Sequence, residues 1–313
     1  MITRSDVAAA AVRVEGRIRR TPLLDVDPAP LAPSARTWLK LELTQHTGSF
    51  KARGAFSHVL AARDAGRLPD AGIVAASGGN AGLAFAYAAS RTGVPAEVFI
   101  PETAPPVKVA RLRALGATVT QVGTRYAEAQ EAAVERVAAT GALWCHAYDL
   151  PDMCAGNGTL GLEIMEQTGG ELDTVLLAVG GGGLMAGVAA ALDGHARVVA
   201  VEPERIPTLE RALAKGGPVD VDVSGVAADS LGATRIGEIA YSVASRTGVR
   251  PVLVDDDAIV EARRFVWEEY RLAVEHGTAA AVAALRTGAY RPAPGERVMV
   301  VLCGANTDPS DLV

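Results

Sequence analysis

The sequence is short of cysteine, of aromatic residues and of positive charge, and each shortage narrows what the chain can be. Its three cysteines, Cys145, Cys154 and Cys303, are an odd, widely spread set without metal-ligand spacing, as expected of reduced thiols in a cytoplasmic protein. The N-terminus, Met1 to Asp6, lacks the apolar core of a signal peptide. A net charge of −6 and a pI near 5.5 give no electrostatic footprint for nucleic acid or an anionic membrane, so any bound anion must be held by a local site. His46, His58, His146, His195 and His276 show no metal-ligand spacing, and neither a Gly-x-Ser-x-Gly elbow nor a phosphate-binding Gly-Lys-Ser/Thr occurs.

What is present fits a globular enzyme. With 313 residues, 49% hydrophobic, only 4% aromatic and 33 of them glycine, the chain suits buried parallel strands and close-packed helices. The uncharged run from Thr174 to Leu192 is long enough to span a bilayer, but Gly180 to Gly183 divide it, and strand, loop and helix fit better than one apolar helix.

From Gly54 onward, strand and helix patterns alternate, which predicts an α/β fold of two open, twisted, mostly parallel sheets with right-handed crossovers. The expected organisation is a small domain at 43–142 inserted into a large domain of 1–42 and 143–313. Pro22 to Pro33 reads as a loop, and Asn157 to Thr168 as a helix. The chemistry-bearing stretches follow strands, and open sheets bind ligands at the carboxyl ends of their strands.

Four such stretches stand out. Lys51, in Thr47-Gly48-Ser49-Phe50-Lys51, is a lysine behind a glycine turn; desolvated, it could form a Schiff base with a carbonyl cofactor. Gly180 to Leu184 should hold a phosphate, because consecutive glycines let backbone N–H groups close on an anion and the following helix adds its positive end. That segment also meets a dinucleotide pattern, Gly181-x-Gly183-x-x-Ala186 with Glu202 ending the next strand, so an NAD-dependent oxidoreductase is a second reading. Ser77, with the amides of Gly78, Gly79, Asn80 and Ala81, could bind a carboxylate, and Cys303 ends a last apolar strand.

In this order the motifs resemble the fold type II pyridoxal-phosphate enzymes, with their tryptophan synthase β-like fold, and within them the serine/threonine dehydratases (ammonia-lyases). The matching stretches are Lys40 to Glu42 with Thr47 to Ala55, Ser77 to Gly82, Gly180 to Gly187, Val201 to Pro203, Val274-Glu275 and Cys303-Gly304. The resemblance implies that Lys51 carries pyridoxal 5'-phosphate, with Phe50 against its ring, Asn80 on its phenolic oxygen, Gly180, Gly181, Gly182, Gly183 and Leu184 on its phosphate, and Cys303 at its pyridine nitrogen. Ser77 to Ala81 would hold the substrate carboxylate.

The implied activity is β-elimination of water from L-serine or L-threonine, giving pyruvate or 2-oxobutanoate and ammonia. A β-eliminase or racemase acting on another hydroxy amino acid, such as hydroxyaspartate, is the related alternative. Racemases of this type carry a second serine where Gly78 stands here, which disfavours racemisation. Divalent-metal relatives place an acid where Thr208 stands, leaving Glu202 as a metal candidate and a monovalent cation as the expected alternative. The resemblance further implies a homodimer.

Overall fold

In this computed structural model, which describes residues 1–312, ten strands and thirteen α-helices alternate along the chain. The first part runs α1 (Arg4–Val14), β1 (Leu23–Val26), α2 (Pro28–Leu31), β2 (Arg36–Lys40) and α3 (Lys51–Asp64). Next come β3 (Ile73–Ala76), α4 (Asn80–Thr92), β4 (Ala96–Ile100), α5 (Pro106–Ala114), β5 (Thr118–Gln121), α6 (Tyr126–Thr140), β6 (Leu143–Cys145) and α7 (Pro151–Gln167). The rest is β7 (Thr174–Ala178), α8 (Gly183–Leu192), β8 (Arg197–Pro203), α9 (Thr208–Lys215), α10 (Ala228–Leu231), α11 (Glu238–Thr247), β9 (Arg250–Val254), α12 (Asp256–Tyr270), α13 (His276–Arg286) and β10 (Arg297–Val301).

The strands form two sheets, as the alternation predicts. One has six strands in the order β1-β2-β10-β7-β8-β9, parallel except for β1, and draws on both ends of the chain. The other is a parallel sheet of four, β5-β4-β3-β6. Because β6 pairs with β3, the smaller sheet runs three residues past the boundary expected at 142, through Cys145.

Other departures from the sequence reading have local causes. The stretch expected as a loop contains β1, which pairs antiparallel with β2 from Leu23↔Lys40 to Val26↔Thr37. Pro22 and Pro28 flank that strand instead of interrupting it, and an edge position tolerates them. Helix α7 starts at Pro151, six residues before the expected Asn157, because proline is pre-shaped for the first turn. Helix α13 gives no amphipathic signal since every residue from Gly277 to Leu285 is buried.

The helix that begins at Lys51 is fixed from below by a buried ion cluster. Arg53, fully buried, bonds Glu42 through Nε at 2.5 Å and Glu163 of α7 through Nη2 at 2.9 Å. Lys40 at the end of β2 shares Glu163 at 2.5 Å and also donates to the Thr21 carbonyl and the Gln167 side chain, at 2.8 and 2.7 Å. The cluster therefore ties β2, α3 and α7 together through charges that only each other neutralise. Replacing one partner would leave a buried charge unpaired, at a cost of about 3–5 kcal/mol. We expect Arg53→Met to lose that much in urea denaturation; a loss under about 1 kcal/mol would contradict this role for the guanidinium.

Candidate active site

The loop ahead of α3 is zipped to the end of β10. Leu43 N–H donates to the Leu302 carbonyl at 2.7 Å, Phe50 N–H to the Cys303 carbonyl at 3.0 Å, and Ala305 N–H to the Gly48 carbonyl at 2.9 Å. This path requires left-handed backbone at Thr47 (φ 61) and Gly48 (φ 76), costly for a β-branched residue and held by Asn306, whose Nδ2 donates to the Thr47 carbonyl at 2.7 Å. As a result Lys51, Phe50 and Cys303 share one corner of the molecule.

Lys51 opens α3 and is half-buried, its Nζ donating to the Ala147 carbonyl at 2.6 Å and lying 5.0 Å from the Phe50 ring centroid. Burial of the ammonium lowers its pKa from 10.5 to about 8, with Cys154, Cys303 and Glu275 pulling weakly the other way. A lysine so placed has an appreciable neutral fraction near neutral pH. The Cys303 thiol is the reverse case: burial, with Glu275 adding to it, pushes it up to about 12, so it stays a neutral thiol. Its Sγ lies 3.2 Å from Thr278 Oγ1, which itself donates to the Gly304 carbonyl at 3.0 Å.

The loop after β3 is shaped by Gly82 and Ser77. A Cβ at Gly82 would sit 1.8 Å from the Ser77 carbonyl oxygen, so only glycine allows the chain to fold back so tightly into α4. Gly79 N–H donates to Ser77 Oγ at 3.3 Å, and the amides that start α4 point out of its positive end. The Asn80 side chain bonds both oxygens of Glu275, at 2.8 and 3.1 Å, and accepts from Asn306 Nδ2 at 2.6 Å. Glu275, buried at the N-cap of α13, has its pKa raised by burial despite these donors and the Asn306 N–H at 2.9 Å.

The glycine loop after β7 lies beneath a tyrosine. A Cβ on Gly181 would meet the Tyr148 ring at 2.2 Å, one on Gly183 the Tyr148 carbonyl at 2.5 Å, and Gly182 has φ +83. Since the Ala186 N–H bonds the Gly182 carbonyl, the amides of Gly183, Leu184 and Met185 precede the helical ladder and lack intrahelical acceptors. Such a cradle of free amides at a helix N-terminus fits a phosphate. Asp149 continues the Tyr148 loop and caps α11 through the amides of Glu238 and Ile239 at 3.0 and 3.1 Å.

Glu202 is apart from this group. It is fully buried, and its oxygens accept from Leu209 and Glu210 N–H at 2.7 and 2.9 Å and from Thr208 Oγ1 at 3.0 Å. Burial raises it to about 7, against the pull of those donors. It thus serves as acceptor for the first amides of α9, and among the described residues no three His, Cys, Asp or Glu side chains gather as metal ligands.

The structure therefore brings Lys51, Phe50, Cys303, Ser77 to Ala81 and Gly180 to Leu184 to the carboxyl ends of β3, β7 and β10. Sequence reasoning overlooked Tyr148, Asn306 and Thr278 and made little of Glu275. The Tyr148 loop follows β6 as the other loops follow their strands, a signal that was available. Glu275, Thr278 and Asn306 declare themselves only through contacts made across the fold.

Three comparisons with known proteins bear on these residues. The model of a family described as pyridoxal-phosphate dependent enzymes matches residues 14–304. A phenylserine dehydratase of Ralstonia pickettii is 39% identical over 97% of this chain and 93% of its own length. An L-threo-3-hydroxyaspartate ammonia-lyase of a Pseudomonas species is 34% identical over 97% of this chain and 95% of its own. Among solved structures, a T.th. threonine deaminase superposes with a TM-score of 0.88 at 34% identity, covering 98% of this chain and 99% of that one.

The lowered lysine pKa has a consequence for stability. Below pH 8 both folded and unfolded chains hold the Lys51 proton and the cost of burying the ammonium is felt in full; between 8 and 10.5 only the unfolded chain keeps it, so stability rises with pH across that window. Urea midpoints of the cofactor-free protein, taken from about pH 7.5 to about pH 10, should rise relative to those of Lys51→Met. Parallel curves would contradict a desolvated Lys51.

Proposed function

The chain belongs to the pyridoxal-phosphate dependent enzymes, and we propose that it removes water from β-hydroxy amino acids, with L-serine and L-threonine as parent substrates, releasing ammonia and pyruvate or 2-oxobutanoate. The observation that carries this reading is that Lys51, half-buried with its Nζ on the Ala147 carbonyl, follows Phe50, whose N–H bonds the Cys303 carbonyl, so that lysine and thiol share one corner. When bound, pyridoxal phosphate supplies a carbonyl that takes the substrate amine and a ring that withdraws electrons from Cα.

The residues divide the remaining work. The amides of Gly180 to Leu184 hold the phosphate, and Phe50 flanks the ring. Asn80, oriented by Glu275 on one side and Asn306 on the other, addresses the phenolic oxygen. Ser77 and the amides of Gly78 to Ala81 hold the substrate carboxylate at the positive end of α4. Lys51 Nζ, first the covalent anchor and then free and neutral, takes the proton from Cα; its lowered pKa keeps enough of it unprotonated to act as a base.

Cys303 sets the outcome. A thiol that stays protonated cannot act as the anionic partner that would hold a proton on the pyridine nitrogen, so electron withdrawal is moderate and prompt loss of the β-hydroxyl is favoured over a long-lived carbanion. Gly78 offers no hydroxyl for a base on the opposite face of Cα, which again favours elimination over racemisation. No helix among the described residues is long and apolar enough to cross a membrane. We further read the protein as cytoplasmic, from its unpatterned thiols, and by resemblance as a homodimer; the smaller domain, expected at 43–142, is read as inserted in the larger with its sheet running on through Cys145.

The cofactor-loaded protein should release ammonia and 2-oxo acid in equal amounts from L-serine or L-threonine, and Lys51→Ala should lose about a thousandfold or more of that rate. Absence of ammonia from every hydroxy amino acid tested, or full activity of Lys51→Ala, would sink the proposal.

A further inference from the structure

A pocket opens beside the loop assigned to the substrate carboxylate. It shares Gly78, Gly79 and Asn80 with that loop and is closed outward by Lys108 and Arg111 of α5; Leu83 is the one aliphatic side chain in its wall. Pockets that accept a phenyl ring or a bare alkyl group are lined mainly by apolar and aromatic side chains. Here Leu83 stands alone among glycines and residues with amide, hydroxyl or charged ends, and the two cations come from the four-stranded unit facing the six-stranded one.

The charge balance leaves Arg111 open. Lys108 Nζ pairs with Asp229 of α10 at 2.7 Å, and that aspartate is itself largely exposed. Glu275, the other acid in the wall, is occupied by Asn80 and the Asn306 N–H. Arg111 Nη2 donates to the Asn306 side-chain oxygen at 2.6 Å, a neutral partner, and among the described residues no carboxylate pairs with its guanidinium. Asn306 in turn donates to Asn80 at 2.6 Å, so the guanidinium stands two hydrogen bonds from the residue assigned to the cofactor's phenolic oxygen. A methyl or phenyl group against it would strip its water without replacement, whereas a carboxylate would gain charge-assisted, bidentate bonds.

We propose that Arg111, supported by Lys108, reads the group on the substrate's β-carbon, and that the preferred substrates are β-hydroxy amino acids with a carboxylate there, the 3-hydroxyaspartates. This rests on the eliminase reading above and narrows it. The reaction is unchanged: water leaves across Cα and Cβ, and hydrolysis of the resulting enamine yields ammonia and oxaloacetate. Arg111 is then a specificity residue that takes no part in the proton transfers.

The test compares kcat/KM of the cofactor-loaded enzyme for L-threo-3-hydroxyaspartate, L-threonine and phenylserine, in the parent protein and in Arg111→Gln, Arg111→Lys and Asp229→Asn. Glutamine removes the charge and keeps a polar side chain, and lysine restores the charge. The parent should favour hydroxyaspartate by about tenfold or more, and Arg111→Gln should erase that preference through KM while leaving threonine within about threefold. Arg111→Lys should keep much of the preference, and Asp229→Asn should lower KM for hydroxyaspartate by freeing Lys108. A parent enzyme that prefers threonine or phenylserine would overturn the proposal, as would an Arg111→Gln variant that loses both substrates equally. Ammonia from none of the three would overturn the eliminase reading along with it.

Discussion

Everything at the site depends on the seam between the segment ahead of α3 and the end of β10. These stretches are about 250 residues apart in sequence, yet three backbone hydrogen bonds join them, two of which pair Ser49 with Gly304 as an antiparallel bridge. The seam sets the nucleophile of one and the thiol of the other into the same low-dielectric corner, and burial there moves the lysine down to about 8 and the thiol up to about 12. One cause produces a usable base and an inert thiol together. The left-handed turn at Thr47 and the buried charges around Arg53 keep that seam in register from two sides.

The carboxylate loop and the glycine loop follow a common plan, each just past a strand and just before a helix, while Cys303 follows β10 and Glu275 joins α12 to α13. Gly82 and Gly181 make the plan possible, since any larger residue would strike the Ser77 carbonyl or the Tyr148 ring. Around this frame the second layer is polar and cooperative. Glu275 and Asn306 fix the direction of the Asn80 amide, and Asn306 also holds the strained Thr47 carbonyl, so the carboxylate loop and the lysine loop are coupled through one asparagine.

Much of this was legible in the sequence because the determining features are local. A glycine run after an apolar strand, a lysine behind a glycine turn and an alternation of strand and helix periods each report on a few neighbouring residues, and the parallel sheets and site loops were found that way. What was missed depends on distant partners. Strand β1 exists only because β2 pairs with it, and α13 hides its period because both sides of it are buried. Glu202 is a similar case: beyond its spacing from the glycine loop, which suited a ribose or a cation, it accepts from the amides of α9, a role that only the fold reveals. Tyr148, Thr278 and Asn306 belong to no motif and matter through what they touch.

The central claim is that Lys51 is the residue that bonds the cofactor, and the chain's small stock of lysines makes it directly testable. Besides Lys51 there are only Lys40, Lys108 and Lys215. Borohydride reduction of the coloured, cofactor-loaded protein, followed by peptide mass mapping, fixes and locates the covalent link. With Lys51 as the anchor, the pyridoxyl mass is expected on the Lys51 peptide alone; its appearance on Lys40, Lys108 or Lys215 instead would contradict that assignment.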